Sequence, residues 1–350
     1  RVVADKMSKG VQYLMKKNKI DVICGYGKLK AKGQVEVTGA DQKVTTYACK
    51  YIILATGARA RSLPNLPIDG KQVIGYREAL TLPQQPKSLI VVGSGAIGVE
   101  FAYFYNSIGT KVTIVEFMPR LVPIEDEDVS KELERSFKKQ GIQVYTQASV
   151  EKVEATANGV KATVKTSTGE LVLEADKVLS AVGIVANIEN IGLETLGVKT
   201  DKGRVQVDGY GQTNVAGIFA IGDVLPTPAL AHVASKEGII CAEYMAYLEK
   251  KHPHKPQPID TGNIPGCTYC SPEIASVGMT EKAAREEGYE LKIGKFPFTA
   301  SGKASASGHT EGFVKVIYDA KYGEWLGTHM IGANVTEMIA ETVLGRKLET

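Results

Sequence analysis

Hydrophobic and polar positions between residues 87 and 146 follow the order expected of alternating strands and helices. Ser88–Val92 is a short apolar run that predicts a buried strand, and Val99–Ile108 has helical spacing. Lys111–Glu116 predicts a second strand, Asp126–Gln140 a second helix, and Gln143–Thr146 a third strand. Because parallel strands need long crossover connections, usually helices, this order predicts a parallel sheet.

Antiparallel meanders occur on both sides of this unit. One, over residues 34–47, leads to the apolar run Tyr51–Leu54 and to Ala-Thr-Gly at 55–57. The other, Val150–Leu173, leads to Lys177–Ala181 and to Ala-Val-Gly at 181–183. A fully apolar strand such as Tyr51–Leu54 predicts burial on both faces. Two related nucleotide-binding halves, the second inserted into the first, would produce this repetition.

The complete pattern predicts the α/β class: two doubly wound nucleotide-binding modules, one inserted in the other, followed by an α+β domain. Pro64–Pro86 and Lys251–Pro258 are predicted linkers. The remaining predicted helices are Arg1–Lys19, Ala231–Leu248, Thr280–Glu287 and Glu337–Leu348. The remaining predicted strands are Asp21–Cys24, Gln34–Thr38, Lys43–Tyr47, Val205–Gln206, Gly217–Ala220, Ile274–Val277, Leu291–Pro297, Phe313–Tyr318 and Glu324–Met330.

Composition excludes several classes of protein. The 350 residues are 43% hydrophobic and 23% charged, which rules out a disordered or fibrous chain. A net charge of +3, spread along the chain, provides no basic surface for nucleic acid or anionic lipid. No apolar run approaches the ~18 residues of a membrane span. Five cysteines, an odd number, favour a reducing compartment.

The two ends of the sequence also bear on the interpretation. The first residue is Arg1 rather than Met, and no signal peptide is evident. The predicted helix Glu337–Leu348 ends without a cap. We therefore expect a fragment of a longer protein.

The strongest motif is Gly93-Ser94-Gly95-Ala96-Ile97-Gly98, between a predicted strand and a predicted helix. In this spacing Gly93 makes the turn, Gly95 lets the backbone approach a pyrophosphate, and Gly98 lets the helix pack against the strand. Glu116 ends the next strand, where an acidic side chain accepts a hydrogen bond from a ribose 2′-hydroxyl and repels a 2′-phosphate. The motif therefore predicts a site for NAD rather than NADP.

A second motif, Thr213–Asp223, consists of an apolar strand that ends in Gly222-Asp223. Open α/β sheets bind ligands at the carboxyl ends of their strands, so Asp223 is a candidate ligand-binding residue, although Gly-Asp is also a common turn. Ala229–His232 opens the next predicted helix, whose N-terminus favours negative charge on a bound group.

Other potentially reactive side chains have simpler explanations. Cys267 and Cys270 have the spacing of a redox or zinc half-site, but no second ligand pair and no helix start accompany them. We expect two structural thiols. His252–His254 lies in a predicted linker and should be solvated, and His309 and His329 lack an identifiable carboxylate partner. We predict no metal site.

These motifs, in this order, resemble those of the pyridine nucleotide–disulfide oxidoreductases. Within that family they are most similar to the dihydrolipoamide dehydrogenases, the flavoproteins of the 2-oxo-acid dehydrogenase complexes. The resemblance covers essentially all 350 residues. Its supporting strings are Cys24–Lys28, Thr56-Gly57, Gly93–Phe101, Val115–Arg120, Gly183, Thr213–Asp223, Leu230–Gly238 and Tyr269–Gly278.

The resemblance implies FAD and NAD as cofactors and oxidation of protein-bound dihydrolipoamide by NAD+ through a redox disulfide. It implies residues 1–82 and 213–255 as the FAD-binding domain, 83–212 as the NAD-binding domain and 256–350 as the interface domain of a homodimer. The partner would be the lipoyl domain of a 2-oxo-acid dehydrogenase complex, in the bacterial cytosol or the mitochondrial matrix. The implied NAD residues are Gly93, Ser94, Gly95, Ala96, Ile97, Gly98, Glu100, Glu116, Val150 and Gly183, with Glu100 near the junction of flavin and nicotinamide. The implied FAD residues are Gly25, Thr56, Gly57, Ala58, Asp223, Ala229, Leu230, Ala231 and His232.

Three features of that family are missing from this sequence. The family's own G-x-G-x-x-G strand–helix unit for FAD does not occur in residues 1–57. No two cysteines stand five positions apart, as the family's redox pair does, and no histidine–glutamate pair of the kind that serves as its base is present. We therefore expect the 350-residue chain alone to be inactive. Two alternatives remain open: another flavin disulfide reductase or NADH oxidase, and a fragment that binds NAD without turnover.

Overall fold

The computed structural model of the chain describes residues 2–349, and these form two compact units. Unit 1 extends to Gly57 and resumes at Ala186–Ile259, and unit 2 comprises Ala58–Val185 and the chain from Asp260 onwards. No helix within the described residues is both long and apolar enough to cross a membrane.

The elements are numbered in chain order. The helices are α1 (Val2–Lys17), α2 (Tyr76–Ala79), α3 (Ala96–Ser107), α4 (Glu127–Lys139), α5 (Leu193–Leu196), α6 (Ala231–Leu248), α7 (Glu281–Glu286), α8 (Gly302–Ser307) and α9 (Val335–Leu348). The strands are β1 (Tyr26–Ala31), β2 (Gln34–Thr38), β3 (Val44–Ala48), β4 (Ile52–Leu54), β5 (Ala58–Ala60), β6 (Val73–Ile74), β7 (Ser88–Val92), β8 (Lys111–Val115), β9 (Gln143–Tyr145), β10 (Ser149–Thr156), β11 (Gly159–Thr166), β12 (Gly169–Ala175), β13 (Lys177–Ser180), β14 (Ile184–Ala186), β15 (Thr200–Asp201), β16 (Arg204–Val205), β17 (Ile218–Ala220), β18 (Gly266–Thr268), β19 (Glu273–Gly278), β20 (Leu291–Pro297), β21 (Phe313–Asp319) and β22 (Trp325–Gly332).

A five-stranded parallel sheet forms the centre of unit 2, in the order β6-β13-β7-β8-β9. Its middle strand β7 is apolar on both faces, and Leu89, Ile90 and Val91 are all buried. The chain leaves β7 towards β8 on one side, whereas β13 lies on the other side. The strand order therefore reverses at the carboxyl end of β7, which is where doubly wound sheets bind ligands.

A second, antiparallel sheet in unit 2 has the order β18-β19-β22-β21-β20. Alternate side chains of its strands face opposite ways. Ala275 and Met330 share a core with Val335 and Ile339 of α9. On the other face, the sheet shares a core with Leu133 and Phe137 of α4, through residues Ile274, Phe313 and Ile331. The predicted interface region is therefore continuous with the parallel-sheet module.

Both predicted meanders are three-stranded antiparallel sheets, β1-β2-β3 in unit 1 and β10-β11-β12 in unit 2. Each precedes a strand of a parallel pairing: β4 pairs with β17, and β13 pairs with β7. The predicted internal repetition is thus present in the fold. The core of unit 1 contains Leu54 of β4, Ala220 of β17 and Val224 after it.

Three expectations for the first 86 residues are wrong. Asp21–Cys24 is exposed and forms no strand, because a strand needs a ladder partner and no described segment pairs with it. Ile53 is 41% exposed, so β4 is buried on one face, not on two. Pro64–Pro86 is not simply a linker, because it contains α2 and β6, and β6 pairs with β13.

The helix predicted at Arg1–Lys19 forms as α1, although Arg1 itself lies outside the described residues. None of the described residues of α1 is buried, and its apolar positions Val3 and Met7 are 74% and 67% exposed.

The boundaries between the two compact units differ from the boundaries of the three predicted domains. The unit boundaries fall after Gly57, after Val185 and after Ile259, rather than after residues 82, 212 and 255. The difference has a physical cause at two places. The segment 58–82 includes β6 of the parallel sheet, and Val198 and Val205 pack in the core of unit 1.

Candidate functional site

The glycine turn after β7 has the geometry that its sequence predicts. Gly93 has φ +95°, and a Cβ there would lie 2.5 Å from the carbonyl oxygen of Ala181, which follows β13. A Cβ on Gly98 would lie 2.0 Å from the carbonyl oxygen of Gly93. A Cβ on Gly95, in contrast, has no atom within 4 Å. Two of the glycines are thus required by packing, and the third leaves open space in front of the turn.

The open space lies at the start of α3. Gly95 is the N-cap of this helix, no side chain caps it, and its first turn contains no acidic residue. The first N–H groups of a helix have no intrahelical acceptor, and the helix dipole adds partial positive charge there. Ala96 is exposed and Ile97 is partly exposed. These groups suit a diphosphate, so the turn fits a dinucleotide.

Glu116 lies directly after β8 and is 5% exposed. Its Oε2 accepts hydrogen bonds from the N–H and from the hydroxyl of Ser94, both at 2.6 Å. Its Oε1 accepts from the N–H of Met118 at 2.6 Å. The predicted acidic residue therefore lies against the glycine turn. Ser94, predicted to contact NAD, donates both its groups to Glu116 instead.

The other predicted NAD residues lie at the same edge of the parallel sheet or close to it. Gly183 follows β13, two residues after Ala181, and has φ +104° with open space where a Cβ would be. Val150 lies two residues after Ala148, whose N–H donates to the Glu116 carbonyl oxygen at 2.9 Å. This hydrogen bond places Val150 close to Glu116 at the same edge. The side chain of Val150 is buried in a hydrophobic core, so only its main chain remains for a ligand.

Glu100 projects from the second turn of α3. One of its carboxylate oxygens accepts a hydrogen bond from the N–H of Tyr269 at 2.9 Å. Burial raises the pKa of the Glu100 carboxyl group, and the Tyr269 N–H offsets this only in part. Glu100 is therefore a half-buried carboxyl group fixed by the antiparallel-sheet region of the same unit.

In unit 1, β4 and β17 are parallel, so their carboxyl ends share one edge. Thr56 and Gly57 follow β4, and Gly222 and Asp223 follow β17. The Thr56 hydroxyl donates to the Asn187 carbonyl oxygen at 2.6 Å, and the Asn187 N–H donates to the Gly57 carbonyl oxygen at 2.9 Å. The structure thus brings three predicted FAD residues, Thr56, Gly57 and Asp223, to one edge of the strand pair.

The turn that contains Asp223 is fixed through its main chain. The Gly222 N–H donates to Glu237 at 2.7 Å, and Arg204 donates to the carbonyl oxygens of Asp223 and Leu225. Within residues 2–349, no group donates a hydrogen bond to the Asp223 carboxylate, which is partly exposed. A fixed carboxylate with unused acceptor capacity fits a polyol hydroxyl.

The start of α6 is the remaining part of this edge. Leu230 is its N-cap without a side-chain cap, and Ala229, Ala231 and His232 are exposed. Sequence reasoning missed Glu237 and Arg204, which shape the turn. Both act through main-chain groups of residues 222–225, and no local motif marks such contacts.

Two predicted FAD residues have other surroundings. A Cβ on Gly25 would lie 2.6 Å from the Thr38 carbonyl oxygen, so packing of its own unit already requires a glycine there. Ala58 begins β5, is buried, and belongs to unit 2.

Cys267, Cys270 and His329 have the surroundings expected of structural residues. Cys267 packs in the core beside α9, whereas Cys270 packs in the core on the other face of the sheet. Burial raises the pKa of both thiols, so neither is a thiolate at neutral pH. His329 is buried in β22, where its Nε2 contacts the Met279 carbonyl oxygen at 2.8 Å and burial lowers its pKa. His309 is exposed.

Two family models match the chain. The model described as pyridine nucleotide-disulphide oxidoreductase matches residues 2–238, and the model described as its dimerisation domain matches residues 264–349. The arrangement of two nucleotide-binding modules and an α+β interface domain, predicted from the sequence, agrees with this pair of matches.

Similar proteins match this chain along its whole length, which is about three quarters of their own. A dihydrolipoyl dehydrogenase of Rhizobium etli is 49% identical over 100% of this chain and 75% of that protein. One of Zymomonas mobilis is 48% identical over 100% of this chain and 74% of that protein. Among solved structures, LpdA of Mycobacterium tuberculosis superimposes with a TM-score of 0.89 at 27% identity, over 99% of this chain and 75% of that one. The HOCl-induced flavoprotein disulfide reductase RclA of Escherichia coli gives 0.83 at 25% identity, over 99% and 79%.

Proposed function

Because the chain belongs to the pyridine nucleotide-disulphide oxidoreductase family, a family of oxidoreductases that use FAD and NAD(H), we propose that it acts as a dihydrolipoyl dehydrogenase. Its reaction would be the oxidation of protein-bound dihydrolipoamide with NAD+. The observation that supports this most directly is its identity of 48–49%, over its whole length, to proteins of that name.

The NAD site that we propose lies at the carboxyl edge of the parallel sheet in unit 2. The open turn at Gly95 and the first N–H groups of α3 bind the pyrophosphate, and Glu116 accepts a hydrogen bond from the adenosine ribose. Gly183 and the main chain of Val150 line the two ends of the site. Glu100 lies on α3 one turn beyond the pyrophosphate, on the side of the nicotinamide.

The FAD site that we propose lies in unit 1, after β4 and β17. Asp223 binds the ribityl chain through its unused carboxylate, and the uncapped start of α6 at Leu230 favours negative charge on the flavin. Thr56 and Gly57 line the adjacent strand end. When bound, FAD and NAD supply the hydride-transfer chemistry, while the residues of the chain bind and orient them.

The same proposal includes the partners and the location. The match of residues 264–349 to a dimerisation domain supports a homodimer. The name of the relatives supports the lipoyl domain of a 2-oxo-acid dehydrogenase complex as the partner that presents the substrate. Such an enzyme would act in the cytoplasm of a bacterium, or in the mitochondrial matrix of a eukaryote.

The test is an assay of NAD+ reduction by dihydrolipoamide with the full-length gene product, measured by NADH absorbance. Turnover of about 1–10³ per second is expected. Glutathione disulfide with NADPH, mercuric ion with NADPH, and oxygen with NADH serve as alternative substrate pairs. Faster turnover with any of these would replace dihydrolipoyl dehydrogenase by another flavin disulfide reductase or an NADH oxidase.

A polypeptide of these 350 residues alone should show no such turnover. None of its cysteines, at positions 24, 49, 241, 267 and 270, has a partner five positions away. Loss of the reactive residues of a catalytic unit removes nearly all of the rate. Turnover at an ordinary rate by this polypeptide would contradict the expectation and direct the search to Cys267 and Cys270.

A further inference from the structure

Ser94 is the most deeply buried side chain of the glycine turn, with 0% of its surface exposed. From the family resemblance, Ser94 is one of the residues expected to contact NAD. Here its N–H and its hydroxyl both donate to Oε2 of Glu116, at 2.6 Å each. Neither donor remains for a phosphate, so Ser94 acts on Glu116 instead of contacting the ligand.

Glu116 is also fixed by its other contacts. Its N–H donates to the Tyr145 carbonyl oxygen at 2.8 Å, and its carbonyl oxygen accepts from Ala148 at 2.9 Å. The N–H of Met118 occupies one acceptor site on Oε1. A carboxylate has about four acceptor sites, and three of them are occupied by Ser94 and Met118. One acceptor site is left, and it belongs to Oε1.

We propose that Ser94 is a positioning residue that determines how Glu116 recognises the adenosine ribose of NAD(H). By occupying Oε2 it directs the single remaining acceptor, on Oε1, towards one ribose hydroxyl, the 2′-hydroxyl. This inference rests on the proposed NAD site, and it adds a residue that sets the specificity of that site without touching the ligand.

Removal of the Ser94 hydroxyl has a defined consequence. The terminal torsion of a glutamate side chain is broad, and contacts determine its orientation. Without the hydroxyl, Oε2 keeps one donor and the carboxylate is less firmly oriented towards the ribose. Ser94→Ala should therefore weaken NADH binding about five-fold, the effect of one ordinary hydrogen bond. Binding of an NADH analogue that lacks the adenosine 2′-hydroxyl should change less than about two-fold, because that analogue never used the oriented acceptor.

The experiment is calorimetric titration of the full-length gene product, as wild type, Ser94→Ala and Ser94→Cys, with NADH and with the 2′-deoxy analogue. Ser94→Cys keeps the branching of the side chain, replaces the hydroxyl by a slightly larger thiol and has only a weak donor, so it tests the hydrogen bond even if Ser94→Ala does not fold. The matched control is Ser136→Ala. Ser136 is a buried serine of the same unit whose hydroxyl also donates to a carboxylate, that of Glu311 at 3.0 Å, away from the glycine turn.

A loss of affinity confined to NADH, absent from the analogue and from Ser136→Ala, supports the proposal. An equal loss for both ligands would show that Ser94 stabilises the turn as a whole, and unchanged binding would show that the other two donors orient Glu116 sufficiently; either result overturns the proposal. Failure of the wild-type gene product to bind NADH would overturn the proposed NAD site itself, together with this inference.

Discussion

Lys315 is a buried lysine on β21 whose side chain is 3% exposed, and it links this strand to the starts of two helices of unit 2. Its Nζ lies 2.8 Å from Asp126, 3.1 Å from Asp128 and 2.7 Å from Glu281. Asp126 and Asp128 are at the start of α4, and Glu281 begins α7. Burial alone would lower the pKa of Lys315, but the three carboxylates outweigh it and raise the pKa well above its usual range. We predict that Lys315→Met, which keeps the length of the side chain, destabilises unit 2 severely.

The magnitude follows from what the carboxylates retain. Removing one partner of a buried ion pair costs about 3–5 kcal/mol, because the other charge remains buried and unpaired. Asp126 is 2% exposed, yet it keeps the N–H of Asp128 at 3.1 Å and the N–H of Glu281 at 3.2 Å. Asp128 and Glu281 are partly exposed, so water solvates them. We therefore expect a loss near the lower limit, about 3 kcal/mol in the free energy of unfolding.

The assay is urea unfolding followed by the fluorescence of Trp325, the chain's one tryptophan, which lies on β22 beside the strand of Lys315. Lys282→Met is the control, because the exposed Lys282 is 3.8 Å from Glu286 and such pairs contribute about 0–1 kcal/mol. If Lys315→Met costs no more than Lys282→Met, the buried network does not stabilise the unit.

The stability difference should also depend on pH. Burial opposes ionisation of Asp126 and Asp128, but hydrogen bonds and the charge of Lys315 outweigh it and lower both pKa values; the Lys315 hydrogen bond also lowers that of Glu281. Groups with a lowered pKa stabilise the fold above their ordinary values, here 3.8 and 4.5, and lose this effect as the pH falls through the lowered values. The difference between wild type and Lys315→Met should thus be full at pH 7 and shrink below about pH 4.

Three further predictions concern the cofactor sites and the thiols. NADH should bind at least about ten-fold more tightly than NADPH, because a 2′-phosphate would meet the buried Glu116 carboxylate, and calorimetry that finds equal affinities would contradict the assignment. Asp223→Ala should cost ~1.5–3 kcal/mol of FAD affinity, seen as faster loss of flavin absorbance on dialysis, whereas Asp201→Ala, in an exposed hairpin, should behave as wild type. Iodoacetamide at pH 8 should alkylate the exposed Cys24 before Cys241, whose pKa burial raises to about 11, and before Cys270; mass spectrometry that finds Cys270 labelled first would refute the burial argument.

The sequence by itself determined the features that depend on neighbouring residues. Ser88–Val92 forms a strand with those bounds, and Ala231–Leu248 and Leu291–Pro297 also form as predicted. The glycine turn was predictable in part: Gly98 meets the carbonyl oxygen of Gly93, five positions before it. The contact that requires Gly93 itself is with Ala181, which is distant in the sequence. Local spacing is sufficient for these three elements and for Gly98, since their conformations depend mainly on residues a few positions away.

Only the tertiary structure decided which polar groups meet. Lys315 and Asp126 are 189 positions apart in the sequence, and Ser94 and Glu116 are 22 apart, so no local pattern indicates either hydrogen bond. The same holds for exposure: the apolar run of β4 predicts burial of Ile53, yet burial depends on what packs against the strand, and no described segment buries that face. The strand predicted at Asp21–Cys24 fails for a related reason, because a strand exists only where a partner completes its hydrogen bonds. Periodicity describes one segment at a time, whereas pairing, burial and charge contacts are properties of two.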